Sequence, residues 1–127
     1  MQAIIIAYES EADFAKRTAE SAAFEAYMDP WFTYTNKLTE AGVMAGGEAL
    51  QGPETATCVS IKDGKRIIQD GPFLDAKEQI GGFFLINIST MDEATTHGKD
   101  CPAAKTGGVE IREVPDYSED NAGEGVS

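Results

Sequence analysis

The residues best suited to chemistry in this sequence are carboxylates gathered in one short stretch marked by glycine and proline. Asp70, Asp75 and Glu78 stand there beside Lys77. Carboxylates placed at the end of a sheet, against apolar neighbours, commonly act as proton acceptors. A further carboxylate, Glu48, belongs to a second glycine-rich stretch. We therefore predict Asp70, Glu48 and Glu78 as candidate catalytic residues.

The same residues also fit structural roles. Asp70 precedes a glycine, so its side chain can instead cap the backbone of the following turn. Glu48 can satisfy loop N–H groups, and Lys77 with Glu78 can form a solvated charge pair. Aromatic residues of a helical stripe can line a ligand cleft, although such residues more commonly belong to a core. The candidates for ligand contact are Gly71, Pro72, Phe73, Lys77, Trp31 and Tyr34.

A β-hairpin must position Asp70. Asp63-Gly64 is a two-residue turn signal between two segments of alternating polarity. If these are the two loop residues, Thr57 pairs with Asp70. Because side chains alternate between the two faces of a strand, Asp70 then closes a mostly apolar row. The other members of that row are Val59, Ile61 and Ile68.

The stretch after the hairpin is predicted to be a loop over residues 71–82. Gly71-Pro72 cannot continue a ladder, because proline lacks an N–H and has a fixed φ. Gly81-Gly82 supplies permissive backbone for re-entering the sheet. Binding residues are commonly carried on such loops of a rigid scaffold.

The remaining elements alternate between strand and helix patterns. Residues 3–7 form a continuous apolar run typical of a central strand, and residues 9–16 are polar enough for a loop with a helical turn. An apolar stripe of helical period keeps its phase across Pro30, which favours one helix over residues 20–40, ended by Gly42. The later predictions are a short strand or extended turn at 43–45, a strand at 83–88, a helix from about Met91 capped by Ser89 or Thr90, and a last strand at 109–114.

This order predicts an α+β domain over residues 1–114, a ferredoxin-like antiparallel sheet with helices on one face. Residues 115–127 are acidic and poor in large apolar side chains, so we expect a disordered tail there. The sheet face without helices needs cover, and a second copy of the chain can supply it. We therefore expect a homodimer that buries the apolar row of the hairpin.

Composition excludes several partners. The net charge is −12, which argues against nucleic acid because phosphates require clustered lysine and arginine. The apolar run at residues 3–7 is far too short to span a membrane. Cys58 and Cys101 have no metal-type spacing, so we expect free thiols in a reducing cytoplasm. No cofactor or metal is indicated, since the sequence carries no phosphate-binding loop, dinucleotide fingerprint, metal cluster or catalytic triad.

Several segments resemble one known family. Asp70-Gly71-Pro72-Phe73, with Lys77-Glu78 and the run from Gly81 to Ile86, resembles the signature of the DGPF-motif branch of the YCII-related proteins. Further segments that are similar to that family lie on both sides of the motif: Ala41-Gly42-Val43, Gly46-Gly47-Glu48-Ala49-Leu50, Asp92-Glu93-Ala94, Cys101-Pro102-Ala103-Ala104 and Val109-Glu110-Ile111-Arg112.

The resemblance implies a dimeric α/β barrel in which two sheets enclose a cleft. Related YCII proteins carry a paired His and Asp with the histidine on the first helix. Residues 20–40 contain no histidine, so that pair is not carried over, and His97, the single histidine, falls where the family usually has tryptophan. His97 therefore remains open between a general base and a helix surface position.

Two functions follow as hypotheses. The first is a protein that binds a small molecule at the dimer cleft, with Asp70, Glu48 and Glu78 presenting carboxylates and with catalysis left open. The second is a non-catalytic dimeric accessory or regulatory module acting through protein contacts. Genomic proximity to extracytoplasmic-function sigma factors, which the resemblance implies, favours the second.

Overall fold

The structure is a computed structural model that describes residues 1–118. Most of the predicted tail, residues 119–127, lies outside the described residues, and 115–118 carry no helix or strand. The elements in chain order are β1 (Gln2–Ser10), α1 (Glu11–Ala15), α2 (Phe24–Glu40), β2 (Met44–Ala49), a 3-10 turn (Pro53–Thr55), β3 (Thr57–Lys62), β4 (Lys65–Asp70), β5 (Glu78–Asn87), α3 (Met91–Lys99), α4 (Ala103–Thr106) and β6 (Gly108–Val114).

Four strands form one antiparallel sheet in the order β2-β5-β1-β6. The chain runs from β1 through α2 to β2, and from β5 through α3 to β6, so each helical connection skips over one strand of the other unit. Two interleaved β-α-β units of this kind are the split arrangement of a ferredoxin-like fold. The predicted α+β class is confirmed, and so is the internal position of β1.

The core lies between this sheet and the two longer helices. Ala3, Ile5 and Ala7 project from one face of β1 and are 0% exposed. They pack with Leu38 of α2 and with residues of β5, α3 and α4 in a single cluster. Burial of this face is the main source of stability for helices that are too short to persist alone in water.

The helix predictions are confirmed with small shifts in their boundaries. α2 contains Pro30 and continues unbroken to Glu40, although it begins at Phe24 rather than at residue 20. Gly42 follows with φ 73, the left-handed backbone that glycine adopts at low cost when it ends a helix. Thr90 caps α3, and its side-chain oxygen accepts a hydrogen bond from the Glu93 N–H.

β1 is longer than predicted, because it extends to Ser10 through residues expected to form a loop. Ser10 and Asp13 then form a reciprocal capping box that starts α1. Extending the strand places Glu9 on the same buried face as Ala3, Ile5 and Ala7. The Glu9 carboxylate therefore lies on the side of the sheet that faces the core.

The predicted loop over residues 71–82 is wrong at its end. β5 begins at Glu78, so the loop spans 71–77, and Gly81 and Gly82 lie inside the strand. The register between β1 and β5 shifts next to Ala7, where a bulge absorbs one extra residue. These glycines are explained by close contacts across the fold rather than by a turn.

The β3–β4 hairpin has the predicted register, with Thr57 opposite Asp70. Its turn residues Asp63 and Gly64 have φ 51 and 75, as a two-residue turn requires. The hairpin is nevertheless a separate two-stranded sheet. The expectation that its apolar row continues the helix-free face of the main sheet is therefore wrong. In the chain described here Ile61 and Ile68 of that row are 73% and 63% exposed.

The helix-free face of the main sheet, which we call the open face, has its own apolar residues. β-pairing places Ile4 opposite Leu85 and Ile6 opposite Phe83, and all four are only half-buried. Beside them Tyr8 donates a hydrogen bond of 3.0 Å to Glu110. Glu110 also forms a salt bridge with Arg112 on this face.

Candidate functional site

The most deeply buried charge in the described chain belongs to Glu9, near the end of β1. Glu9 is 1% exposed, and its carboxylate accepts hydrogen bonds from Arg17 Nε at 3.1 Å and from Arg17 Nη2. Two parallel N–H···O bonds between guanidinium and carboxylate give strong and directional pairing. Burial of a carboxylate is costly unless it is paired in this way, so Arg17 is what permits Glu9 to lie here.

Tyr27 of α2 completes the cluster. Its hydroxyl donates to Glu9 Oε1. Burial, followed by this hydrogen bond to the negatively charged Glu9, raises the pKa of Tyr27 far above its ordinary value. Tyr27 therefore remains a neutral hydrogen-bond donor at physiological pH. We call Glu9, Arg17 and Tyr27 the buried triad.

Arg17 also joins β5 to the residue that follows β2. Its Nη2 donates to the Gly81 carbonyl at 2.8 Å, and its Nη1 donates to the Leu50 carbonyl at 2.5 Å. The guanidinium also lies over the Phe14 ring at 4.6 Å. Four of its five N–H donors are thus engaged. The arginine fixes the position where β1, β5 and the chain after β2 come together.

A cleft of about 600 Å³ opens beside the buried triad, between α2 and the edge formed by β2 and β5. Glu9 and Arg17 lie at one end of it, and most of its remaining surface is apolar. We call it the α2 cleft. Its side-chain walls come mainly from Met28, Trp31, Phe32, Thr35, Met44 and Phe84.

Aromatic packing fixes one wall of the α2 cleft. Trp31 and Phe84 are stacked with ring centroids 6.4 Å apart and an interplanar angle of 11°. Tyr34 meets the edge of Phe84 with centroids 5.2 Å apart at 89°. Offset stacked and edge-to-face pairs are the arrangements that aromatic rings prefer. The wall is therefore set before any ligand arrives.

The predicted site residues fall in different places. Glu48 and Trp31 line the α2 cleft. Pro72, Lys77 and Glu78 line a separate open groove of about 1210 Å³ between α1 and the 71–77 loop. Glu78 is half-buried, and Lys77 is exposed. Arg17 lines both cavities and so marks where they meet.

Asp70, Gly71 and Phe73 lie at the base of the hairpin, away from the lining of either cavity. Asp70 is exposed, and within residues 1–118 its carboxylate makes neither an ion pair nor a bond to its own loop. The Gly71 N–H donates to the Ala56 carbonyl at 2.7 Å, and Phe73 is 74% exposed. Whether these residues act in an assembly of two chains stays a prediction.

Tyr34 and His97 meet in the core region. Tyr34 is 3% exposed, and its hydroxyl donates to the His97 carbonyl at 2.8 Å. Burial raises the pKa of Tyr34 far above the ordinary value. Tyr34 therefore packs in the core and lies outside the cleft lining, and its hydroxyl is bonded to the backbone of α3.

Sequence reasoning missed the buried triad. The polarity of residues 9–16 predicts a loop for Glu9, and Arg17 lies in a segment without apolar periodicity. The available signal was the spacing of Ser10 and Asp13, which is that of a capping box and places a helix start right after a strand. That signal would have extended β1 and put Glu9 on the face shared by Ala7.

Within residues 1–118, no three His, Cys, Asp or Glu side chains are grouped to hold a metal ion. In the same described residues no helix is long and apolar enough to cross a membrane.

The chain is similar to proteins of one family. The profile of the YCII-related domain matches residues 1–118. An uncharacterized protein from Rhizobium meliloti (strain 1021) is 35% identical over 83 residues, which cover 64% of this chain and 67% of that protein. Its name states no activity.

Proposed function

The chain belongs to the YCII-related family, and we propose that it binds a small organic molecule in the α2 cleft. The observation that carries this proposal is the buried triad beside an apolar cavity of about 600 Å³. Ligand sites in proteins are concave, mostly apolar, and oriented by a few fixed polar groups. The α2 cleft has this composition, and Glu9 and Arg17 of the triad belong to its lining as fixed polar groups.

Any proton transfer to a molecule in the α2 cleft would fall to residues at that cleft. Of the three predicted carboxylates, Glu48 lines the α2 cleft, whereas Asp70 and Glu78 lie elsewhere. Glu9 also reaches the cleft, although Arg17 and Tyr27 occupy its oxygens. We therefore place binding first. Glu48 is paired with Phe83, so its side chain projects toward the open face of the sheet, and its role as a proton acceptor stays a prediction.

We also propose that the working form is a homodimer of the dimeric α/β-barrel type. Support comes from the half-buried apolar residues of the open face and from the exposed row of the hairpin, Val59, Ile61 and Ile68. An isolated two-stranded hairpin is marginally stable in water, so a second chain covering it would stabilise both surfaces. The Asp70–Phe73 motif supports assignment to the DGPF-motif branch, and the free thiols of Cys58 and Cys101 support a cytoplasmic location.

The test is a thermal-shift screen of the purified protein against a metabolite collection, because a ligand that binds only the folded state raises the melting temperature. The melting temperature is then measured with each hit for Thr35→Phe, whose larger side chain fills part of the α2 cleft. Thr33→Phe is the matched control, since Thr33 is exposed on the same helix and outside the cleft lining. A hit should shift wild type and Thr33→Phe but lose its effect in Thr35→Phe. Hits that shift all three proteins alike would reject the site.

The exposed hairpin favours a second candidate function, a dimeric accessory module acting through protein contacts, with an extracytoplasmic-function sigma factor as one possible partner. Its apolar residues and the cations Lys62, Lys65 and Arg66 at its tip are available to a partner. If no metabolite stabilises the protein, and exchanging Val59 and Ile61 for serine abolishes capture of a purified sigma factor, this candidate replaces the first.

A further inference from the structure

The outer edge of β4 has no partner strand within residues 1–118. The hairpin and the four-stranded sheet are separate, so β4 pairs with β3 alone. All six residues of β4 are exposed. An unpaired edge presents a row of N–H and C=O groups that another strand can join. β4 therefore offers an edge to which a second chain can add a strand.

The hairpin register decides which backbone groups of β4 point outward. The Gly71 N–H donates to the Ala56 carbonyl, so these two residues form a hydrogen-bonded pair. Hydrogen-bonded and non-hydrogen-bonded pairs alternate along an antiparallel ladder, and the adjacent pair at Asp70 is therefore of the non-hydrogen-bonded kind. The backbone groups of Asp70, Ile68 and Arg66 consequently point away from β3, toward the free edge.

The side chains of the same three residues share the exposed face of the hairpin. Arg66 and Asp70 carry opposite charges, and Ile68 stands midway between them and is 63% exposed. In the described part of the chain neither Arg66 nor Asp70 takes part in an ion pair. This pattern is self-complementary, because an antiparallel copy of the strand centred on Ile68 sets each charge opposite its counterpart.

Other symmetric registers fit the edge less well. A pair of strands centred on Arg66 or on Asp70 sets like charges directly opposite each other, which is destabilising. A pair centred one residue to either side of Ile68 leaves each charge opposite an uncharged residue. The register centred on Ile68 matches both charges and uses the backbone groups of all three outward-facing residues.

We infer that β4 pairs with β4 of a second copy of this chain, antiparallel and centred on Ile68, so that two hairpins form one four-stranded sheet. Arg66 then lies opposite the partner subunit's Asp70. A strand edge of six residues is small against the roughly 1,000 Å² that a specific interface buries in total. The pairing therefore adds to the contact at the open face, about the same two-fold axis. The inference rests on the proposed homodimer and adds the strand and the register by which the hairpins meet.

Amide hydrogen exchange of the labelled protein, followed by NMR, measures the pairing residue by residue. The amides of Ile67 and Gln69 point toward β3 and are protected by the hairpin of one chain. The amides of Arg66, Ile68 and Asp70 gain protection when a strand lies beside the outer edge. We expect protection at all of these amides in the wild-type homodimer.

Arg66→Asp sets an acidic residue opposite the partner subunit's Asp70. It should lower the protection of the Ile68 amide by about fourfold or more, because two opposite-charge pairs become two like-charge pairs. Asp70→Arg should have the same effect. The double exchange, Arg66→Asp with Asp70→Arg, restores the complementary pattern and should restore the protection. Lys62→Asp is the matched control, since Lys62 carries the same charge on the other face of the hairpin and should leave the Ile68 amide protected.

Free exchange at Arg66, Ile68 and Asp70 in a wild-type protein that is dimeric by light scattering would overturn the inference and leave the homodimer standing. Protection that the double exchange does not restore would assign it to another contact and also overturn the pairing. A monomeric wild type would reject the homodimer and the pairing together, while the metabolite screen with Thr35→Phe decides ligand binding in the α2 cleft separately.

Discussion

Glu9 is a buried charge whose place in the fold depends on its hydrogen-bond partners. Its carboxylate is buried at the end of a strand and depends on Arg17 and Tyr27 for its hydrogen bonds. Within residues 1–118, every buried side-chain nitrogen or oxygen has a hydrogen-bond partner. Removing one member of such a group leaves the others desolvated and unpaired.

We therefore predict that Glu9→Gln lowers the free energy of unfolding by about 3 kcal/mol, because the Arg17 guanidinium loses its counter-charge in a buried site. Asp100→Asn is the control. Asp100 pairs with Lys37 at 3.0 Å on the surface, where both side chains are largely exposed. Asp100→Asn should therefore lower the free energy of unfolding by no more than about 1 kcal/mol. Urea unfolding measures both. Equal losses would show that the triad is not a special source of stability.

Cys101 gives a prediction about pH. Burial raises the pKa of its thiol from the ordinary 9.0 to about 11, so the folded state keeps the proton where the unfolded chain loses it. The free energy of unfolding should therefore fall as pH rises from 9 to 11, by up to about 1.4 kcal/mol per pH unit. Thermal melts across this range measure the decline.

Cys101→Ala removes the thiol and should make the decline shallower. Cys58→Ala is the control, because it removes a half-buried thiol of the hairpin and keeps the buried thiol of Cys101 in place. An identical decline in Cys101→Ala would assign it to other groups, such as Tyr27 and Tyr34, whose pKa values are also raised.

The bulge in β5 brings Gly81 into close contact with Glu9 and Arg17 of the triad. A Cβ built on Gly81 would lie 1.6 Å from Glu9 Oε2 and 2.6 Å from Arg17 Nη2. A side chain at residue 81 is therefore incompatible with the ion pair. The glycine is needed for close approach, and its carbonyl also accepts from Arg17.

We predict that Gly81→Ala destabilises the fold by about 2 kcal/mol or more, the cost of inserting a methyl group into occupied space. Gly108→Ala provides the comparison, because nothing lies within 4 Å of the added Cβ. That exchange should be neutral or stabilising by up to about 1 kcal/mol. Equal destabilisation by both substitutions in chemical unfolding would contradict the role assigned to Gly81.

The elements differ in how far sequence could predict them. The hairpin register depends on the local turn at Asp63-Gly64, so sequence suffices. Gly81-Gly82 carries the same local preference for irregular backbone, but Gly81 is approached by Glu9 and Gly82 by the backbone of Glu48 and Ala49, all distant in sequence. The contact of Tyr27 with Glu9 likewise requires α2 to pack beside β1. Fold class was therefore accessible from pattern, and the buried triad was not.

For the whole molecule, we predict a stable homodimer of twice 13.6 kDa in light scattering. Both surfaces carry apolar residues, half-buried on the open face and exposed on the hairpin, and a specific interface that covers them should bury at least about 1,000 Å² in total. Ile6→Lys on the open face should give a folded monomer. Thr96→Lys, on the exposed side of α3, should leave the dimer intact. A wild-type monomer at micromolar concentration would refute this assembly.

The location of ligand binding tests the central claim most directly. Amide and indole chemical shifts of the labelled protein, recorded during titration with the strongest hit of the metabolite screen, report which residues the ligand contacts. The account predicts that the largest changes occur at the Trp31 indole N–H and at the amides of Gly46, Gly47 and Gly82, which line the α2 cleft. Changes concentrated in the hairpin at Asp70 and Gly71, with the α2 cleft unaffected, would contradict it.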